Sequence, residues 1–333
     1  MKLLFSFIVP VYNRPNEIRE LLQSLQQQDY DGGFEIVIVE DGSTLSSEEV
    51  VEAFSNELDI RYLKKSNSGP GDSRNYGMER ASGNYFIILD SDCILPPEYL
   101  TVAEESLTRS FVHCYGGPDA AHESFTDVQK AINYAMTSLY TTGGIRGAKK
   151  AIDKFQPRSF NMGISKEAFE NVGGYGKIHP GEDPDLTFRI WAKGYRSKLI
   201  PEAFVYHKRR IDWGKFHTQV NKFGMVRPIL SKWHPGTSKP TYWFPSVFCM
   251  GFIVSLILIG FSIYLPIICY GAYFLLIFID SLLKNKNLNV AVLSIVAVCI
   301  QFIGYGFGFL KSTFWINFSN KNPDELFPKL FFN

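Results

Sequence analysis

Thirty-seven consecutive residues, Trp243 to Ile279, contain no Asp, Glu, Lys or Arg, and a second uncharged run extends from Asn287 to Leu310. As one helix the first run would measure roughly 55 Å, against a bilayer hydrocarbon core of roughly 30 Å, so it has to break. Tyr264-Leu265-Pro266 is the expected place. Two helices follow, about Trp243–Tyr264 and Pro266–Ile279, the second short unless it continues through Leu282-Leu283. The second run is long enough to span, but Gln301 and the glycines Gly304, Gly306 and Gly308 are expected to make its end polar and loosely helical. It either spans or lies partly in the interface. A hairpin buried in a soluble core is the plain alternative. The favoured reading is a membrane protein whose first 240 or so residues are soluble, enough for one large α/β domain.

Basic residues set the orientation. Lys208, Arg209, Arg210, Lys215, Lys222, Arg227, Lys232 and Lys239, against Asp212 alone, precede the first apolar run, which places this segment and the N-terminal domain in the cytoplasm. Lys284 and Lys286 agree, because two crossings return the chain to the same side. Residues 208–242 also interleave Trp213, Phe216, Phe223 and Trp233, as an amphipathic helix on anionic lipid would; an ordinary solvated face is the alternative. The membrane region is expected over 243–310 with two to three helices, followed by a tail over 311–333. Lys311, Lys321 and Lys329 fit poorly with a tail outside the membrane.

The soluble part reads as an enzyme domain. A formal charge of +1 argues against a dedicated nucleic-acid binder, and 20% charged with 46% hydrophobic residues argues against a disordered chain. The five cysteines show no metal-ligand spacing, which suits a reducing, cytosolic setting. The apolar start, Leu3 to Val9, is too short for a signal segment and reads as a buried strand. Apolar runs then alternate with helical patterns. Strands are predicted at Leu3–Val9, Phe34–Val39, Ile60–Leu63 and Tyr85–Leu89, with helices at Pro15–Gln27, Ser46–Asn56, Asp72–Ala81 and Pro97–Arg109. That order predicts a Rossmann-like, mostly parallel sheet with helices on both faces and function at the carboxyl ends of the strands.

Those ends are polar: Pro10-Val11-Tyr12-Asn13-Arg14, Glu40-Asp41-Gly42-Ser43, Asn67-Ser68-Gly69-Pro70-Gly71 and Asp90-Ser91-Asp92. In an extended chain Asp90 and Asp92 point the same way, so both can face one hard cation, or one can take the cation and the other a ribose hydroxyl. A solvated turn is the plain alternative, weakened by the apolar strand that precedes the pair. No G-x-G-x-x-G or G-x-x-x-x-G-K-[ST] is present, which argues against a dinucleotide dehydrogenase and a P-loop NTPase. Gly69-Pro70-Gly71 is expected to be a turn.

Phe7 to Arg14, Glu40-Asp41-Gly42-Ser43, Ser73-Arg74-Asn75-Tyr76-Gly77, Asp90-Ser91-Asp92, Gly173-Gly174-Tyr175 and Gly181 to Leu186 stand in the order seen in glycosyltransferase family 2. The chain resembles these inverting GT-A-fold enzymes over about residues 1–210, and the membrane helices behind the domain look like those of members that extend lipid-linked or cell-envelope glycans. The resemblance implies a GT-A catalytic domain over 1–207. It implies that Pro10, Tyr12 and Arg14 line the nucleotide pocket, that Asp41 accepts from the base of a UDP-sugar, and that Arg74 lies near the phosphates. Asp90 would lie near the ribose or donor sugar, and Asp92 would be the main ligand of Mn²⁺ or Mg²⁺. Asp90 and His207 would be further metal ligands, with a surface histidine the equal alternative for His207. Asp183 would be the general base, with Glu182 beside it. Taken alone, Glu182, Asp183 and Asp185 also suit a helix start, predicted at Pro184–Lys193, where the dipole favours acids.

The chemistry agrees with those roles. Displacing a nucleoside diphosphate builds negative charge on the leaving oxygen, which a divalent cation stabilises, while a carboxylate takes the proton of the attacking hydroxyl. Residues 219–227 depart from the Q-x-x-R-W of processive synthases, although Gln219 and Arg227 suit an acceptor phosphate. The expected activity is transfer of one sugar from a nucleotide-sugar to a lipid-linked or cell-envelope glycan at the cytoplasmic membrane face. A polyprenyl-phosphate glycosyltransferase, a nucleotidyltransferase and a non-catalytic membrane scaffold are the rivals. Donor choice is expected to depend on side chains around Gly116–Lys150.

Overall fold

The computed structural model describes residues 2–120, 125–143, 154–208 and 212–332. Arg209 and Arg210 of the basic segment, and residues 121–124 and 144–150 within Gly116–Lys150, lie outside the described residues. The chain separates into two compact units, one of Met1–Ala120, Gly147–His207 and Phe331–Asn333, the other of Ala121–Arg146 and Lys208–Leu330.

The first unit begins β1 (Phe5–Val11), α1 (Pro15–Gln26), β2 (Phe34–Asp41), α2 (Glu48–Phe54), β3 (Ile60–Lys65), α3 (Pro70–Arg80), β4 (Tyr85–Leu89), β5 (Cys93–Ile94), α4 (Tyr99–Arg109), β6 (Cys114–Gly116) and β7 (Asp119–Ala120). The chain then supplies α5 (Asp127–Thr137) and α6 (Leu139–Thr142) to the second unit. It returns for β8 (Asn161–Ser165), α7 (Lys166–Val172), α8 (Glu182–Ala192), β9 (Ser197–Leu199) and β10 (Val205–His207).

Seven strands form the main sheet in the order β3-β2-β1-β4-β8-β6-β9. β3, β2, β1 and β4 run parallel, β8 runs against both its neighbours, and β9 is parallel to β6. The parallel strands are apolar on both sides because both faces are covered. Alternation then sorts their side chains: Phe5, Phe7 and Val9 join Ile36, Ile38 and Ile87 in one core with Leu21, Leu22 and Leu25 of α1, while Ile8 joins Val37, Val39, Phe86 and Ile88 in the other with Met78 of α3 and Leu186 and Ile190 of α8. Each such side chain contributes roughly 1.5–3 kcal/mol on burial. The expected Rossmann-like GT-A arrangement is present, with boundaries shifted by a few residues.

Gly69-Pro70-Gly71 departs from its expectation as a turn. It starts α3, with Gly69 at φ 94° just before the helix and Pro70 in the first turn. Proline has no N–H for a helix start to waste and its fixed φ suits that position, while the left-handed backbone at Gly69 favours glycine. The smaller sheet, β5-β10-β7, carries His207 opposite Cys93. The chain end also belongs to this unit: Phe331 bridges Ile178, and the Phe332 N–H donates to the Lys177 carbonyl at 3.0 Å.

The second unit continues with α9 (Trp213–Trp233), α10 (Phe244–Ile259), α11 (Leu265–Asn285), α12 (Leu288–Phe318) and α13 (Pro323–Leu326). The first uncharged run breaks over residues 260–264, and Pro266 sits in the first turn of α11. Three helices, Pro240–Ile259, Leu265–Asn285 and Leu288–Phe318, are long and apolar enough to cross a membrane. The loosely helical end expected for the third does not occur, because α12 is continuous to Phe318. Its glycines are contact points: a Cβ on Gly308 would lie 2.2 Å from the Asn221 carbonyl oxygen, and one on Gly304 would lie 2.7 Å from Val220 Cγ2. Close approach of α9 requires small residues there, and neighbouring backbone holds the helix regular.

Candidate active site

The carboxyl ends of β1, β2 and β4 bring together residues distant in sequence. Asn13, two residues after β1, adopts a left-handed φ of 55°. Its N–H donates to Ser43 Oγ at 2.8 Å, and its Oδ1 accepts from the Thr44 and Leu45 N–H groups at 2.8 Å each. This ties the end of β1 to the end of β2. Arg14, the next residue, reaches across to Asp92 and donates to its Oδ2.

Asp92 is the centre of one cluster. Its Oδ1 lies 3.2 Å from His207 Nε2, and Asp90 Oδ2 lies 3.9 Å from the same nitrogen. The His207 ring is stacked on Phe160, 4.8 Å between centroids and 18° between planes, which fixes its orientation. Burial alone would raise the Asp92 pKa, but the charges of His207 and Arg14 outweigh it and hold the carboxyl well below the usual range.

Arg74, with its side chain 4% exposed, links that cluster to a second one. Its Nη2 is 2.8 Å from Asp90 Oδ1, its Nη1 is 3.3 Å from Glu182 Oε1, and its guanidinium lies over the Tyr175 ring at 5.3 Å. Glu182 and Asp183 open α8 behind Gly181, whose φ is 124°. Glu182 Oε1 also meets His179 Nδ1 at 2.9 Å. Burial opposes the ionised form of Glu182, yet the His179 contact and Arg74 lower its pKa to about 2. Asp183 moves the other way, pushed up to about 6 by burial and then by the charge of Glu182 beside it. Asp183 Oδ1 has no hydrogen-bond partner among the described residues. Asp185 is engaged by Arg189, whose Nε and Nη2 stand 3.0 and 2.9 Å from its Oδ2. Arg189 also donates to the Val172 and Gly174 carbonyls, so the Gly173-Gly174-Tyr175 turn, with φ of 84° and 68° at its glycines, is clamped to α8.

The family model for glycosyl transferase family 2 matches residues 6–173, just over half of the chain. The chain belongs to this family. A poly(ribitol-phosphate) beta-N-acetylglucosaminyltransferase, TarS of Staphylococcus aureus, is 39% identical over 99 residues, 29% of this chain and 17% of that one, so the match spans about a sixth of the relative. The mannosyltransferase PcManGT of Pyrobaculum calidifontis, in complex with GDP-Man and Mn²⁺, superposes with a TM-score of 0.60 at 16% identity, over 95% of this chain and 88% of that one. S. aureus TarS 1–349 in complex with UDP-GlcNAc gives a TM-score of 0.50 at 18% identity, over 93% and 91% of the two chains. At these identities the solved structures share the fold.

Within this family-2 domain the residues expected from sequence occupy distinct surroundings. Asp41 is held by its own chain, accepting from Lys65 Nζ at 2.9 Å and from the Ser68 and Gly69 N–H groups at 3.0 Å each. Tyr12 is 52% exposed and Pro10 half-buried at the same rim. Arg74, expected near phosphates, contacts Asp90 and Glu182. Gln219 and Arg227 belong to α9 in the second unit. Sequence reasoning missed His179, whose only signal was a titratable ring three residues before Glu182. It also missed Lys65, on a strand end opposite Asp41, and Cys93, whose Sγ lies within 4.8 Å of the Asp92 and His207 ligand atoms.

The donor set fits a divalent cation. Asp92 Oδ1 accepts no aligned hydrogen bond even with His207 Nε2 at 3.2 Å, and carboxylates with one imidazole suit Mn²⁺. Cys93 is occupied differently, its Sγ contacting the Phe160 carbonyl at 3.3 Å.

Proposed function

We propose that this protein is a membrane-attached, metal-dependent inverting glycosyltransferase that moves one sugar from a nucleotide-sugar, with a UDP-sugar favoured, to a lipid-linked or cell-envelope glycan. The observation that carries this reading is the Arg74 bridge, because it holds Asp90, next to the Asp92–His207 cluster, and the Glu182-Asp183 pair on one rim. Asp92, Asp90 and His207 would hold Mn²⁺ or Mg²⁺. When bound, that ion supplies charge stabilisation for the departing diphosphate.

The remaining work falls to the protein's own groups. Pro10, Tyr12 and Arg14 sit at the strand ends where the nucleotide is expected, and the loop fixed by Asp41 shapes the wall beside them. Glu182 stays ionised and anchors Arg74. Asp183, with an unpartnered oxygen and a pKa of about 6, is the better general base, since proton transfer is most effective when the base titrates close to the working pH. One displacement assisted in this way inverts the anomeric centre and needs no covalent glycosyl-enzyme.

A UDP-sugar donor is supported by TarS, named a poly(ribitol-phosphate) beta-N-acetylglucosaminyltransferase and solved in complex with UDP-GlcNAc. Membrane attachment is supported by the three long apolar helices. Binding of UDP, GDP, dTDP and CMP to the detergent-solubilised protein, with and without Mn²⁺, tests the reading. Metal-dependent binding of one nucleotide, lost in Asp92→Ala, is expected. A folded protein that binds none of them would move the protein to a non-catalytic role.

A further inference from the structure

The three apolar helices invite a count of three membrane crossings, but α12 has surroundings that a spanning helix could not carry. Its exposed apolar side chains, Val292, Val296, Ile303, Phe307, Phe314 and Phe318, recur at spacings of four and seven and form one stripe along the helix. The opposite face, from Val290 and Ser294 through Gln301 and Gly308 to Ile316, is buried against other helices of the second unit.

Two of those neighbours, α5 and α9, are helices of an aqueous type; the others are the start of α10 and the end of α11, whose Ser246 and Ser281 meet Gly306 and Ser294. α5 packs along the first half of α12, with Ile132 and Ala135 in one core with Ala297, Val298 and Phe302, and its Asp127 reaches Asn287 at 3.3 Å. α9 packs along the second half so closely that Asn221 Nδ2 donates to the Gly304 carbonyl at 2.9 Å and a Cβ on Gly224 would lie 2.1 Å from the Tyr305 oxygen. α5 carries Asp127 and Lys130, and α9 carries Lys215, Lys222, Arg227 and Lys232. Whatever depth α12 takes, these two helices take with it, and each Lys, Arg or Asp drawn to mid-bilayer is costly. The same charges are favourable at an anionic headgroup layer.

Chain connectivity gives a second, independent constraint. The chain leaves the first unit after His207 and rejoins it at Phe331. There Phe331 bridges Ile178, and the Phe332 ring lies 5.5 Å from that of His179. Both ends of the 208–330 segment are therefore on one side of the membrane, and the stretch after α12, with Lys321, Asp324, Glu325 and Lys329, is too charged to cross back.

We propose that α12 lies along the membrane surface, its apolar stripe in the lipid of one leaflet, so that α10 and α11 alone enter the hydrocarbon as a hairpin and the number of crossings is even. The proposal rests on the membrane attachment given above and specifies its geometry. α10 and the start of α11 match this, exposing Val247, Met250, Ile253 and Ile257 of the one and Leu265 and Ile268 of the other.

Two measurements on the full chain in vesicles of phosphatidylethanolamine and phosphatidylglycerol test it. In a variant with Cys249, Cys269 and Cys299 replaced by Ser, a fluorophore is placed in turn at Val292→Cys, Ile303→Cys and Phe314→Cys and quenched by lipids brominated at known depths. Maximal quenching by the same bromine position at all three sites is expected. Along a spanning helix the outer two sites would differ in depth by about 33 Å, and a progression from one headgroup layer to the other would overturn the proposal. For the unmutated chain with an epitope after Asn333, protease is expected to reach the tag from the side that exposes the N-terminal domain, and access from the opposite side alone would overturn it. Failure to float with vesicles and absence of quenching everywhere would sink the attachment itself, an outcome distinct from a depth gradient.

Discussion

Arg74 Nη2 stands 2.8 Å from Asp90 Oδ1 while the same guanidinium holds Glu182, so the strand-end acid and the acid of α8 share one buried cation. Removing it leaves the buried Glu182 without that charge partner, while Asp90 keeps partial access to water. Arg74→Met is expected to destabilise the first unit by about 3–5 kcal/mol and to abolish nucleotide-dependent turnover. Arg74→Lys is expected to recover little, because one ammonium cannot replace the two arms of the guanidinium. Chemical denaturation of both variants provides the check.

Asp183 is expected to impose an acid limb on the reaction. Its pKa of about 6 in the fold lies above the unperturbed 3.8, so the ionised base is lost as pH falls through 6 and kcat/KM is expected to drop about tenfold per unit below that point. The linkage to stability has the opposite sense. A raised carboxyl pKa favours the fold most fully below 3.8 and loses that benefit as pH rises through 6, where the buried charge has to be borne. Asp183→Asn is therefore expected to raise Tm at pH 7.5 while removing activity, and a parallel loss of both would contradict the role given to this residue.

Asp92 and His207 are expected to separate in a Mn²⁺ titration of nucleotide binding. Asp92→Ala removes both the charge and the oxygen that has no aligned partner, and should eliminate the metal response. His207→Ala removes one neutral-capable ligand and should shift the Mn²⁺ midpoint by tenfold or more while leaving a response at saturating metal. Calorimetry with UDP at several Mn²⁺ concentrations distinguishes the two.

The α9–α12 contact predicts a sharp dependence on side-chain size. Gly224→Ala would place a Cβ 2.1 Å from the Tyr305 oxygen, and the helices must separate to accept it, at a cost of about 1–3 kcal/mol. Gly271→Ala in α11 meets nothing within 4 Å and is expected to be neutral or mildly stabilising. Thermal shift in detergent compares the pair, and equal effects would argue against the close contact.

Much of the first unit was legible from local pattern. The strand over Tyr85–Leu89 matches its expectation, and the other early strands and helices differ from theirs by a few residues at their ends, because parallel strands covered on both faces are continuous apolar runs that stand out in any sequence. The carboxyl-end motifs were legible for the same reason, since they follow those runs directly. Gly69-Pro70-Gly71 was misread as a turn because glycine and proline mark a helix start as readily as a turn when the flanking geometry is unknown.

What the sequence determined by itself was the series of parallel strands, the rim on which Asp90 and Asp92 stand, and the presence of apolar helices behind the domain. These depend on periodicity and run length, which are local properties. Only the tertiary structure decided that Arg74 faces two carboxylates, that His179 sits on Glu182, that Asp183 rather than Asp185 keeps a free oxygen, and that the glycines of α12 receive α9. The Arg74–Glu182 and α9–α12 contacts join residues far apart in the chain, and the His179–Glu182 contact, three residues apart, depends on how the chain turns into α8. The charge a side chain meets, and the depth to which a helix can sink, depend on the neighbours that folding brings to it.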